Sequence, residues 1–152
     1  MIVSSAEQMR DLGARIAHAC RPGDVVVLTG DLGAGKTTLV QGMGAALGIR
    51  EPITSPTFVI ARVHEGDAGQ RLIHVDAYRL SGALELDDLD LDADLSTGIA
   101  VIEWGAGHAE RLAPDRLVVT IEPGSGEDRV VGLHAVGKRW IEVDLAAIEA
   151  VA

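Results

Sequence analysis

Two rhythms of apolar and polar residues alternate along the chain. Ile2 and Val3 form a short apolar start, after which Ser4 or Ser5 can cap a helix from about Ala6 to Ala19, with Leu12, Ile16 and Ala19 on its apolar face. The turn residues Arg21 to Asp24 stop it. Val25 to Val27, continuing through Leu28 and Thr29, are too uniformly apolar to alternate, which is the pattern of a strand covered on both faces inside a parallel sheet. Lys36 to Leu47 predicts a helix ending at Gly48, and Pro52 and Pro56 then keep the "EPITSP" segment in a loop. Strands are expected at about Phe58 to Val63, Leu72 to Val75 and Ile99 to Ile102, with room for a short helix in the acidic segment Leu84 to Asp94. Leu117 to Glu122 and Arg129 to His134 flank the turn-rich "PGSGED" and predict a late hairpin, and Lys138 to Ala150 predicts a closing helix.

Strands that alternate with helices, most of the strands wholly apolar, predict an α/β three-layer domain with a mixed, mainly parallel sheet and a late antiparallel hairpin. Ligands of such sheets collect at the carboxyl ends of the strands. A length of 152 residues suits one domain spanning residues 1–152, large enough to close a core without disulfides. Aromatic residues are only 3% of the chain, so that core must be aliphatic.

The formal net charge of −10 disfavours a direct grip on a phosphodiester backbone, so any bound anion must be held locally. Cys20 has no second cysteine to pair with, which fits a reducing compartment and a packed thiol. No run approaches the roughly 18 apolar residues of a membrane span, and the first 20 residues hold no unbroken secretory core. The expected location is the cytoplasm.

One local anion site stands out. In "VVVLTGDLGAGKTTLV", Gly30, Gly35, Lys36 and Thr37 satisfy G-x-x-x-x-G-K-[ST] between an expected strand and an expected helix. With 18 glycines and two lysines in the chain, a chance match has a probability of about two in a thousand. The chemistry needs these residues because phosphates must approach backbone N–H groups closely, where a Cβ would obstruct them. The positive end of the following helix, the Lys36 ammonium reaching the β and γ phosphates and the Thr37 hydroxyl offered to Mg²⁺ complete the pattern. The fold expectation thereby sharpens to a P-loop NTPase-like domain that binds a nucleoside triphosphate.

Turnover also requires an acid for Mg²⁺ and a group that positions water. Asp76 ends "RLIHVD" and Glu103 ends "GIAVIE", each directly after an apolar strand. Either residue could serve the metal or the water, and spacing does not separate the roles. "TSPTF", Thr54 to Phe58, follows the P-loop helix where switch segments lie, although alone it is only a turn and a strand. Arg79 could stabilise charge, whereas His74, Tyr78 and Trp104 read by type as hydrogen-bonding or packing residues. Asp88, Asp90 and Asp92 match the opening of a calcium loop, but Ala93 stands where glycine is needed and Ile99 where glutamate is needed. Calcium is rejected.

The ordered motifs "GDLGAGKTT", "SPTF", "HVDAYRL" and "IEWG" resemble the TsaE (YjeE) family, firmly from Val25 to Trp104 and more loosely in the flanks. The resemblance implies a small bacterial P-loop ATPase required for threonylcarbamoyladenosine formation at adenosine 37 of tRNA. It implies work with TsaB and TsaD subunits, TsaD carrying the transfer chemistry, while ATP hydrolysis resets the complex and is weak until the partners bind. Contact with tRNA would be indirect, in agreement with the acidic charge. Carried onto this chain, the loop residues Gly30, Asp31, Leu32, Gly33, Ala34, Gly35, Lys36, Thr37 and Thr38 bind ATP, with Gly33 to Thr38 on the phosphates. Thr37 and Glu103 hold Mg²⁺, Asp76 and Lys36 serve hydrolysis, Ser55 and Thr57 lie in a switch-like loop, and Trp104 borders the site. The family commonly has a threonine in the first helix near the base, where this chain has Met9, and an arginine from the late hairpin, for which Arg129 is the candidate.

Two other classes compete. A small-molecule kinase would need an acceptor pocket and an arginine-bearing lid, and here the long loop is acidic. A nucleotide-dependent binding switch would need no catalytic acid, so substitution of Asp76 separates it from an ATPase.

Overall fold

A computed structural model describes residues 1–56, 61–77, 94–103 and 113–150. Seven strands, β1 (Ile2–Val3), β2 (Val25–Thr29), β3 (Ala61–Glu65), β4 (Arg71–Asp76), β5 (Gly98–Glu103), β6 (Arg116–Pro123) and β7 (Arg129–Val136), join in one sheet of order β1-β7-β6-β2-β5-β4-β3. The middle four, β6-β2-β5-β4, are mutually parallel, and the edges add antiparallel pairs. This is the mixed α/β sheet with a late hairpin that the apolar runs predict. Every residue of β5 is buried, as an interior parallel strand requires.

Helix α1 (Ala6–Ala19) begins at Ser5, whose hydroxyl accepts from the Gln8 amide at 3.1 Å. Helix α2 (Lys36–Ala46) begins directly after the glycine loop. Both pack on the sheet face that presents Val26, Leu28, Leu72, Val101 and Val119, and these residues form one aliphatic core with Leu12, Ile16, Leu39 and Met43. A second cluster on the opposite face joins Val25, Val27, Ile73, Val75, Ala100 and Ile102 to Ala113. The alternation of these sets along β2, β4 and β5 decides which side chains can reach the end of α2.

Two element expectations need correction. The closing helix is two short ones, α3 (Lys138–Ile141) and α4 (Leu145–Glu149), because Asp144 takes an extended conformation and its carboxylate caps α4 at the Ala147 amide. The strand expected to end at Val63 continues to Glu65 because its ladder with β4 pairs Glu65 with Arg71, and the turn starts only at Gly66. Its expected start at Phe58 lies outside the described residues, as do Thr57, Tyr78, Arg79, Trp104 and the expected short helix of the acidic segment except Asp94. Among the described residues no helix is long and apolar enough to cross a membrane.

Candidate functional site

The loop between β2 and α2 is shaped by glycine. Gly33 and Gly35 have φ of 78° and 111°, values that residues with a Cβ rarely adopt. A Cβ on Gly33 would meet nothing within 4 Å, so this part of the loop is open, whereas one on Gly35 would press on the Met9 Cε at 3.2 Å. Gly35 is the N-cap of α2, and no side chain caps the helix there, which leaves its first N–H groups for an anion.

Lys36 is 5% exposed although charged. Its Nζ donates to the carbonyls of Gly30 and Asp31 at 2.7 and 2.9 Å, which lays the ammonium against the inside of the loop. Burial lowers its pKa from the ordinary lysine value, and the carboxylates of Glu103, Asp31 and Asp76 counteract that by favouring the charged form. Three acids therefore surround the one buried cation of the loop.

The sheet explains how two distant acids arrive there. Parallel pairing of β4 with β5 sets Asp76 opposite Glu103, and β2 sets Leu28 opposite Glu103. Since Leu28, Leu72 and Val101 face α2, the same-face positions Asp76 and Glu103 lie on that side too, at the carboxyl ends of their strands. His74 shares this face, and its Nε2 lies 2.7 Å from Glu103 Oε1, with both side chains buried.

Beside the loop, a cavity of about 280 Å³ is lined by Val3, Ser4, Ser5, Ala6, Met9, Gly33, Ala34, Gly35, Thr38, Glu127 and Arg129. It brings Met9 and Arg129, which are 120 positions apart in sequence, to the same wall as the glycines. Arg129 Nη1 is held by the carbonyls of Glu127 and Asp128, both at 2.9 Å. Sequence reasoning missed Val3, Ser4, Ser5, Ala6 and Glu127 as lining residues. Their signal is only positional: α1 starts where the first turn of α2 starts, and the turn of the β6–β7 hairpin reaches the same corner. Asp31 and Leu32 lie exposed at the tip of the loop, Leu32 at 94%.

The loop after α2 is anchored to its surroundings. Gln41 Nε2 donates to the Ile53 carbonyl at 3.0 Å, and Glu51 pairs with Nδ1 of the buried His64. Ser55 is half-buried in this segment.

The donor chemistry fits Mg²⁺. The Thr37 hydroxyl and the Glu103 carboxylate would be hard oxygen ligands of the kind this cation takes. Two such donors from the chain suit a metal completed by phosphate oxygens and water. The open glycine surface and the uncapped helix end suit phosphates in the same way.

Comparisons with known proteins identify the family. A family model described as "Threonylcarbamoyl adenosine biosynthesis protein TsaE" matches residues 3–131. The tRNA threonylcarbamoyladenosine biosynthesis protein TsaE of Streptomyces coelicolor is 52% identical over 147 residues, covering 92% of this chain and 99% of that protein. The protein of the same name from Bacillus subtilis is 36% identical over 135 residues, covering 88% of this chain and 84% of its own length. The crystal structure of Bacillus subtilis YdiB superposes with a TM-score of 0.81 at 29% identity, covering 98% of this chain and 92% of that one. With its motifs, its sheet order and these relatives in agreement, the chain belongs to the TsaE family.

Proposed function

We propose that this chain is an ATP-hydrolysing subunit that works with TsaB and TsaD in forming threonylcarbamoyladenosine on tRNA. The observation that carries the proposal is the convergence of Asp76 and Glu103, from neighbouring parallel strands, on the buried Lys36 of an open glycine loop. The relatives' names supply the pathway. A reducing cytoplasm suits the single Cys20.

Each side chain then has a task. The amides from Gly33 to Thr38 hold the phosphates, and Lys36 meets the β and γ groups from a position already set by the Gly30 and Asp31 carbonyls. Thr37 and Glu103 would hold Mg²⁺, which when bound neutralises charge on the phosphate oxygens. Asp76, half-buried at the end of β4, orients the attacking water and draws on its proton. Met9 and Arg129 line the cavity beside the glycine loop, and we assign them to the nucleoside. Hydrolysis resets the assembly between turnovers, so it is slow until the partners close the site.

The test is phosphate release from Mg²⁺–ATP by the chain with TsaB and TsaD. Asp76→Asn is expected to bind ATP yet release phosphate about 100-fold more slowly or worse. Undiminished release by this variant would make the chain a nucleotide-dependent switch, and a phosphorylated acceptor in place of free phosphate would make it a kinase.

A further inference from the structure

His74 belongs to no task assigned so far, yet it is fully buried and makes one short contact. Its Nε2 lies 2.7 Å from Glu103 Oε1, while its Nδ1 has no hydrogen-bond partner among the described residues. The two nitrogens settle the tautomer by physical argument. A proton on Nδ1 would bury an N–H without an acceptor and set the Nε2 lone pair against a carboxylate; a proton on Nε2 makes a charge-assisted hydrogen bond and leaves only a lone pair unpaired. The imidazole is therefore a donor aimed at one oxygen of Glu103.

We propose that His74 is the positioning residue for Glu103: its Nε2–H holds Oε1 so that the second carboxylate oxygen stays directed to the site of Mg²⁺. The inference rests on the reading of Glu103 as a metal ligand. Three observations support it. Glu103 is only 3% exposed, and a carboxylate so buried needs fixed hydrogen bonds to remain in one orientation. His74 lies two residues before Asp76 on the same face of β4, opposite Val101, so that Glu103 must turn back along the sheet to meet it. Leu72 and Val101, the neighbours of His74 on that face, are aliphatic and can donate no hydrogen bond to Glu103. A hydrogen-bonded outer partner of this kind orients a metal-binding carboxylate as it does a metal-binding imidazole.

The experiment is a calorimetric titration of the full chain with a non-hydrolysable ATP analogue, once with magnesium and once with EDTA. The amide nitrogen of His74→Gln falls near Nε2 and retains the donor; that of His74→Asn falls near Nδ1 and cannot reach, and His74→Leu has none. The expected result is that H74N and H74L lose about 10- to 100-fold of affinity with magnesium, with little change in EDTA, while H74Q stays near the parent. Whichever of H74N and H74L melts as the parent does carries the comparison.

Equal losses with and without magnesium, or a folded H74Q that loses as much as H74N, would reduce His74 to packing and overturn the inference. A full magnesium effect in folded H74N or H74L overturns it as well. If instead the parent binds the analogue equally in both conditions, the metal role of Glu103 fails first, and the role of His74 falls with it.

Discussion

Two ionisable residues, the buried Lys36 and the half-buried Cys20, show how place alters chemistry. Burial lowers the Lys36 pKa while the acids around it oppose that shift, and the Gly30 and Asp31 carbonyls hold its Nζ in position for an anion arriving at the loop. Cys20 shows the opposite pressure. Burial, reinforced by the Asp24 carboxylate, pushes its thiol up to about 12. At pH 8 the folded chain should therefore react with Ellman's reagent at least about 100-fold more slowly than the urea-unfolded chain, because the thiolate is the nucleophile. The thiol also bears on stability. The unfolded chain releases this proton near pH 9.0 and the folded chain only near 12, so the contribution is whole below the first value and lost as pH rises towards the second. Denaturant melts from pH 8 to 11 should show that decline in the parent and less of it in Cys20→Ala.

Helices α1 and α2 touch through two glycines. A Cβ added to Gly42 would collide with the Arg10 carbonyl, and one added to Gly13 with the Leu39 carbonyl, so the backbones cross without side chains between them. This contact holds Met9 over Gly35 and thus sets the width of the cavity beside the loop. Gly42→Ala should cost about 1–3 kcal/mol or more in urea melts, since the obstacle is backbone and cannot turn away. The C-terminal segment is held by another device. Arg139 donates through Nε and Nη2 to the two oxygens of Asp24 at 3.1 and 2.7 Å, and through Nη2 to the Ala19 carbonyl at 2.8 Å. Asp24 is 5% exposed, so Arg139→Leu would leave a buried carboxylate without its cation; a loss of about 3 kcal/mol in the same melts is expected.

Charge sets what the whole molecule can do unaided. At −10, the chain should show no measurable binding to tRNA in filter assays at about 0.15 M salt, and retention of tRNA should appear only when the partner subunits are present. Nucleotide should act on the fold as a unit. ADP with magnesium at about 100 times its dissociation constant should add about 2.7 kcal/mol, visible as a raised melting temperature, and Lys36→Ala should abolish most of the shift. A rise of equal size in Lys36→Ala would remove the loop from the account of binding.

The loop and its flanking elements were legible in the linear chain because their causes are local. A run of β-branched residues, glycines where φ is positive and a lysine at the first helical turn are read from neighbours in sequence. The uniform burial of β5 likewise follows from its own apolar run. The break between α3 and α4 was not legible, since an aspartate reads equally well within a helix or as its cap until the chain turns. The family motifs suggested Met9 and Arg129 for the nucleotide, but no pattern in the chain could tell that Asp76 stands opposite Glu103 or that His74 holds Glu103. Those facts depend on strand register and helix crossing, which bring together residues far apart in the chain and are decided by the summed packing of two apolar faces.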